Sequence, residues 1–199
     1  MKIKWGLSAI AGLLLSGSHV PLSSAQMVPA VPPVPTAPWY NCLTREVWTP
    51  EKQAWCKKVE ALRNAAYTIP QSPSYVLPEL IAVKLINGRY EDRAKQISAT
   101  FVSQQGSIVF GDLNDDGTED AVSLLSVNTG GSGVFTYLVL SINQNGVLKP
   151  MFPVLLGDRI QFKSMAIEPG KIRLTIVTQG ANDSMCCPTQ EVTKTFDLR

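Results

Sequence analysis

Residues 133–143 read GVFTYLVLSIN. Successive side chains of a strand point to opposite faces. Phe135, Tyr137 and Val139 therefore share one side, and Leu138, Leu140 and Ile142 share the other. Apolar residues on both sides predict a strand buried on both faces. The fold must supply a layer of packing above this strand and another below it.

Working outward, Gly130-Gly-Ser-Gly133 lies between this run and a second apolar segment, 121–128. An anion cradle is the competing reading of the glycines. The segment lacks the P-loop Lys and Ser/Thr and leads into a strand, so a flexible hairpin is the better reading. Asn145-Gly146, Gly157-Asp158 and Pro169-Gly170 then punctuate segments near 147–156, 159–168 and 171–179. The segment 190–198 closes the chain. On the other side, 81–86, 99–103 and 108–113 have strand character, and Asn87-Gly88 is a hairpin signal. Strands at this spacing with tight turns predict a mainly β (α+β) protein. An antiparallel meander would form a sandwich or partly closed barrel over 80–199. Asp158-Arg159 reads as a turn with a surface ion pair. No internal repeat is found.

Before the strands comes one helix. Thr49 is a good N-cap, Pro50 suits the first helical position, and Glu51 complements the helix dipole. Trp55, Val59, Leu62 and Ala66 fall on one face of a helix over 50–66. Lys52, Lys57, Lys58 and Arg63 decorate the rest. Pro70, Pro73 and Pro78 end any helix and predict a loop over 67–79. The helix should cover one face or open end of the β domain, so 41–79 and 80–199 pack as one unit. Residues 26–40, with VPAVPPVPTAP at 28–38, predict an extended proline-rich tether.

Met1-Lys2-Ile3-Lys4 is basic, 5–15 is apolar apart from small residues, and Ser23-Ser24-Ala25 offers small residues before Gln26. That order predicts a cleavable signal peptide over 1–25, and hence a periplasmic or extracellular protein. The apolar run falls short of the roughly 20 residues of a membrane span. Cleavage would leave 174 residues with 16 basic and 16 acidic side chains, a formal net charge of zero. With no basic run along the chain, nucleic acid and anionic membrane are not the expected partners. His19, the one histidine, lies inside the signal. Its loss would exclude Ser-His-Asp and Cys-His catalysis and His-ligated zinc.

The acidic run Asp112-Leu-Asn-Asp-Asp116-Gly-Thr-Glu-Asp120 places oxygen side chains at loop positions 1, 3, 5 and 9 and Gly117 at 6. A backbone carbonyl is available from Thr118 at position 7. Calcium is bound by several oxygens at this kind of spacing. The EF-hand's Glu at position 12 is here Ser123, and the flanks read as strands, so this is not an EF-hand. A metal-free, hydrogen-bonded Asx turn is the alternative.

Phe110-Gly111-Asp112-Leu-Asn-Asp-Asp-Gly117, followed by Glu119-Asp-Ala-Val122, resembles the calcium loop of FG-GAP or VCBS-type repeats. The resemblance implies a loop between two strands with a structural Ca2+. Asp112, Asn114, Asp116, Thr118 (through its carbonyl) and Asp120 would be the ligands. The pattern occurs once, whereas a propeller repeats it. A broader resemblance rests on Trp48 to Cys56, the acidic loop, 130–135 and Leu156-Gly-Asp-Arg159. These together resemble a group of uncharacterised secreted bacterial proteins, many of them cyanobacterial, which implies no particular activity.

Four cysteines in an exported chain predict disulfides, and three complete pairings are open. Cys42–Cys56 with a vicinal Cys186–Cys187 is favoured over two crosslinks between the helical segment and the 180s loop. Cys186-Cys187 lacks the Cys-x-x-Cys spacing of thioredoxin-like redox sites. No catalytic residue is nominated. The leading expectation is a non-enzymatic, calcium-stabilised binding or accessory module for a protein or small ligand. The alternatives are an extracytoplasmic enzyme using carboxylates or the cysteine pair, and an envelope structural or inhibitor protein.

Overall fold

The computed structural model describes residues 38–70, 80–184 and 186–198. The predicted signal peptide and almost all of the proline-rich tether lie outside these residues.

Helix α1 spans Pro50–Arg63 and begins as the sequence dictates. The Thr49 side chain accepts the Lys52 N–H at 3.3 Å, satisfying one of the first-turn donors. The helix ends at Arg63 rather than at 66, with Asn64 as its C-cap. The chain turns at once into strand β1 (Ala66–Pro70), which pairs with β2 (Leu80–Lys84) in an antiparallel ladder. The loop predicted over 67–79 is thus corrected at its start. Pro70 sits at the strand's last position, where a missing N–H costs little. Tyr67 and Ile69 of β1 alternate into the core.

The main sheet has seven strands. These are β3 (Arg89–Asp92), β4 (Ile97–Phe101), β5 (Val109–Gly111), β6 (Asp120–Thr129), β7 (Phe135–Gln144), β8 (Val147–Pro150) and β9 (Val154–Asp158). β6 and β7 form its long central hairpin. On the outer side of β6, its two halves pair separately with β4 and β5. On the outer side of β7, its two halves pair with β8 and β9. The single strand predicted over 147–156 is therefore two, because Pro153 cannot donate to a ladder. These breaks let the sheet curl into a half-barrel. A second sheet is formed by β10 (Gln161–Glu168), β11 (Lys171–Thr178) and β12 (Gln190–Asp197), all antiparallel.

The double-sided reading of 133–143 holds. Tyr137 and Val139 enter one core cluster with Phe135 packed against it, under α1, β1 and β2. Leu138 and Leu140 enter the other with Ile142 packed against it, facing β10–β12. The molecule is mainly β with one helix, in three layers. The two Asn-Gly turns behave as type I′ hairpins require, with positive φ at Asn87, Gly88, Asn145 and Gly146. Gly111 sits where β5 meets β10. A Cβ there would lie 3.1 Å from Ile167 Cδ1, so any larger residue would press on that side chain.

Candidate functional site

The acidic loop joins β5 to β6 at the edge of the curled sheet, next to α1. Its two ends are tied by Asp120, which is fully buried. Asp120 Oδ2 accepts the N–H of Leu113 at 3.0 Å, and Oδ1 accepts the N–H of Asn143, at the far end of β7, at 2.7 Å. Between these anchors the chain folds back on itself. Asp112 accepts N–H bonds from Asn114, Asp116 and Gly117. Asp115 and Gly117 take positive φ to make the turn. Asp116 accepts the Thr118 hydroxyl at 2.5 Å, the Thr118 N–H at 2.8 Å and the Asn114 amide at 2.8 Å. These donors, the Thr118 hydroxyl foremost, hold the Asp116 carboxyl below its ordinary pKa.

Asp112, Asn114, Asp116 and Thr118 thus occupy one exposed turn, and Asp120 lies beneath it. Among the described residues, no three Asp, Glu, Cys or His side chains converge on a common point. The donor set is all oxygen and suits a hard cation chemically. To converge on one, Asp116 and Asn114 must exchange their mutual hydrogen bond for the ion. The bonds to Leu113 and Asn143 leave each Asp120 oxygen a second lone pair.

Glu119 points the other way. Its carboxylate meets Lys58 Nζ of α1 at 2.5 Å, and that ammonium lies 4.3 Å from the centre of the Phe110 ring. Trp55 packs edge-on against the same ring at 6.2 Å. The loop is thereby joined to the helix.

The cysteines take the favoured pairing. Cys42 lies at disulfide distance from Cys56, with Cα atoms 5.6 Å apart, and Cys186 pairs with its neighbour Cys187. The first link lays 41–48 over the helix start and changes the expected role of Lys52. Instead of decorating the surface, Lys52 is buried, with its Nζ 2.5 Å from both Glu46 Oε1 and Thr44 Oγ1. In the 180s loop, Asp183 accepts the Gly180 N–H at 2.8 Å and the N–H and hydroxyl of Thr189, each at 2.7 Å. At the Gly-rich hairpin, Asn128 donates to the Gly131 and Gly133 carbonyls. Asp158 accepts the Val134 N–H at 2.7 Å and pairs with Arg159, which also donates to the Ser132 carbonyl. The Asp158-Arg159 pair therefore braces that hairpin.

One feature escaped the linear reading. Lys57 and Lys58 of α1, Lys84 of β2 and Lys149 of β8 line a single groove of about 750 Å³. Among the described residues, its one acidic lining residue is Glu119, already paired with Lys58. Apart from the adjacent pair in α1, these lysines are far apart in sequence, so only the packing of helix, hairpin and sheet edge assembles them.

No protein-family model, curated protein or solved structure matches the chain. Fold and site together define a three-layer, mainly β protein with a crosslinked N-terminal segment and an oxygen-rich loop at the sheet edge. Among the described residues, no helix is long and apolar enough to cross a membrane.

Proposed function

We propose that the chain is an exported β module that acts by binding rather than catalysis, and that calcium staples its acidic loop. The observation that carries this reading is the loop itself. Its backbone is already bent into a tight turn, anchored at both ends by Asp120, with Asp112, Asn114 and Asp116 presenting oxygens on the exposed side. The Thr118 carbonyl and Asp120 complete the proposed ligand set. The ion would supply only positive charge here, drawing together carboxylates that otherwise repel. The loop must give up internal hydrogen bonds to bind, which places affinity in the ~0.1–1 mM range of extracellular calcium modules. Disulfide-distance cysteines fit an oxidising compartment, periplasmic or extracellular.

Thermal unfolding with calcium and with chelator tests this. At ten times the dissociation constant, an ion bound only by the folded state stabilises by about 1.4 kcal/mol. For a protein of this size that raises Tm by roughly 3–6 °C. Asp116→Ala should abolish the shift. No shift in the unaltered protein at 10 mM calcium, or an equal shift in the variant, would remove calcium from the proposal.

A further inference from the structure

The two cysteine pairs differ in what they can do for the fold. A disulfide stabilises chiefly by closing a loop of the unfolded chain. Cys42 and Cys56 stand 14 positions apart, and their link ties the N-terminal segment to α1. Cys186 and Cys187 are neighbours, so their link closes no loop and joins no two segments. Stapling therefore does not account for the second pair. We propose that Cys186–Cys187 is a thiol–disulfide exchange site, at which the protein oxidises small-molecule thiols. This goes beyond the calcium-stapled module and does not depend on it.

Access and connectivity both favour exchange here. Attack on a disulfide needs an open approach to one sulfur. Cys56 is buried and Cys42 half-buried beside the helix-side core, whereas Cys186 and Cys187 are both exposed. The peptide bond between the neighbours holds their Cα atoms 3.8 Å apart, below the roughly 4.4–6.8 Å usual for disulfides, and such a departure makes the bond easier to reduce. The surrounding loop stands without the sulfurs. Asp183 clamps its two sides through Gly180 and Thr189, and the Cys187 N–H donates to the Ser184 carbonyl at 3.0 Å. Ser184 Oγ lies 3.1 Å from Cys186 Sγ, and since a disulfide sulfur carries no proton, the hydroxyl is the donor. That hydrogen bond stabilises charge arriving on Cys186 and marks it as the leaving sulfur. The thiolate of a small monothiol thus attacks Cys187 Sγ. A mixed disulfide forms on Cys187, the Cys186–Cys187 bond breaks, and its electron pair leaves on Cys186. A second thiolate attacks the small-molecule sulfur of that mixed disulfide, and Cys187 leaves. Two thiols become one small disulfide, their two electrons reduce the pair, and their two protons end on Cys186 and Cys187.

The test exposes the oxidised full chain to excess glutathione, with samples trapped by alkylation and mapped by peptide mass. The expected result is a glutathione adduct on Cys187, then free thiols at Cys186 and Cys187 and one glutathione disulfide released per chain. This should run about tenfold or more faster than any opening of Cys42–Cys56. Ser184→Ala should slow the adduct-forming step roughly two- to fivefold and leave Tm unchanged. Cys186→Ser, given glutathione disulfide, should stop at the Cys187 adduct. Reducing the pair should leave Tm near that of the oxidised chain, while Cys42→Ser with Cys56→Ser lowers it by several degrees. Free thiols at Cys186 and Cys187 before treatment, opening of both pairs at one rate, or reduction only in urea would overturn the proposal. A Tm loss on reducing the pair as large as that of the Cys42→Ser/Cys56→Ser variant would make it a staple and overturn it too. An adduct on Cys186 in place of Cys187 would reverse the leaving sulfur and overturn the part given to Ser184.

Discussion

Asp120 is the buried anchor of the acidic loop. Its two oxygens satisfy backbone donors from segments that are far apart in sequence. Removing the carboxylate would leave both N–H groups without acceptors, and an orphaned buried donor costs about 1–3 kcal/mol. Asp120→Ala should therefore lose roughly 3 kcal/mol in urea unfolding, measured in chelator so that ion binding does not contribute. Thr118→Ala, on the exposed turn, should stay within about 0.5 kcal/mol of the parent. Equal effects would mean that Asp120 does not anchor the loop. The spacing of the acidic run was legible because Asp, Asn and Gly at fixed offsets have local consequences. The anchoring role of Asp120 was not, since it depends on Asn143, which the β6–β7 register brings alongside. Ser123 and Ser141 show the same limit. Their hydroxyls are buried and, among the described residues, have no hydrogen-bond partner, which their place in alternating strands does not foretell.

At the scale of elements, the turns and caps were the most readable features. Thr49-Pro50 and both Asn-Gly pairs act through their own backbone. Readings failed where neighbours decide. β1 forms because β2 offers it a partner, against three prolines that argue for a loop. Lys52 is buried because a crosslinked segment crosses it, and the lysine groove needs three elements at once. The 180s loop shows an element held by one carboxylate. The Gly180 N–H first, then the hydroxyl and N–H of Thr189, keep the Asp183 carboxyl below its ordinary value near 3.8. A depressed folded pKa means stability that is present above the unfolded pKa and is lost as pH falls through the folded one. The Tm gap between the parent and Asp183→Asn should hold from neutral pH to about pH 4, narrow below 3.8, and close once Asp183 is protonated in the folded state. A gap that stays constant to the lowest pH would show that the loop does not depend on this charge.

For the whole molecule, the central hairpin is the common wall of two cores. β6 and β7 send alternate residues into the helix-side cluster and the cluster under β10–β12. Neither outer layer can separate without exposing a face of the same two strands, so the layers should unfold together. The three tryptophans among the described residues provide a one-sided probe, because Trp55 belongs to the helix-side cluster and Trp39 and Trp48 pack against it. Leu138 points into the opposite one and is fully buried. Leu138→Ala should cost about 3 kcal/mol in lost transfer energy and cavity, lowering Tm by roughly 6–12 °C. If the hairpin couples the layers, tryptophan emission and far-ultraviolet circular dichroism should shift by the same amount, although none of these three tryptophans lies on the mutated side. Tryptophan emission that melts at the parent's temperature while the dichroism falls early would mean that the β10–β12 layer unfolds on its own. Coincident curves are the expected result, because a strand buried on both faces cannot lose one neighbour and leave the other's packing intact.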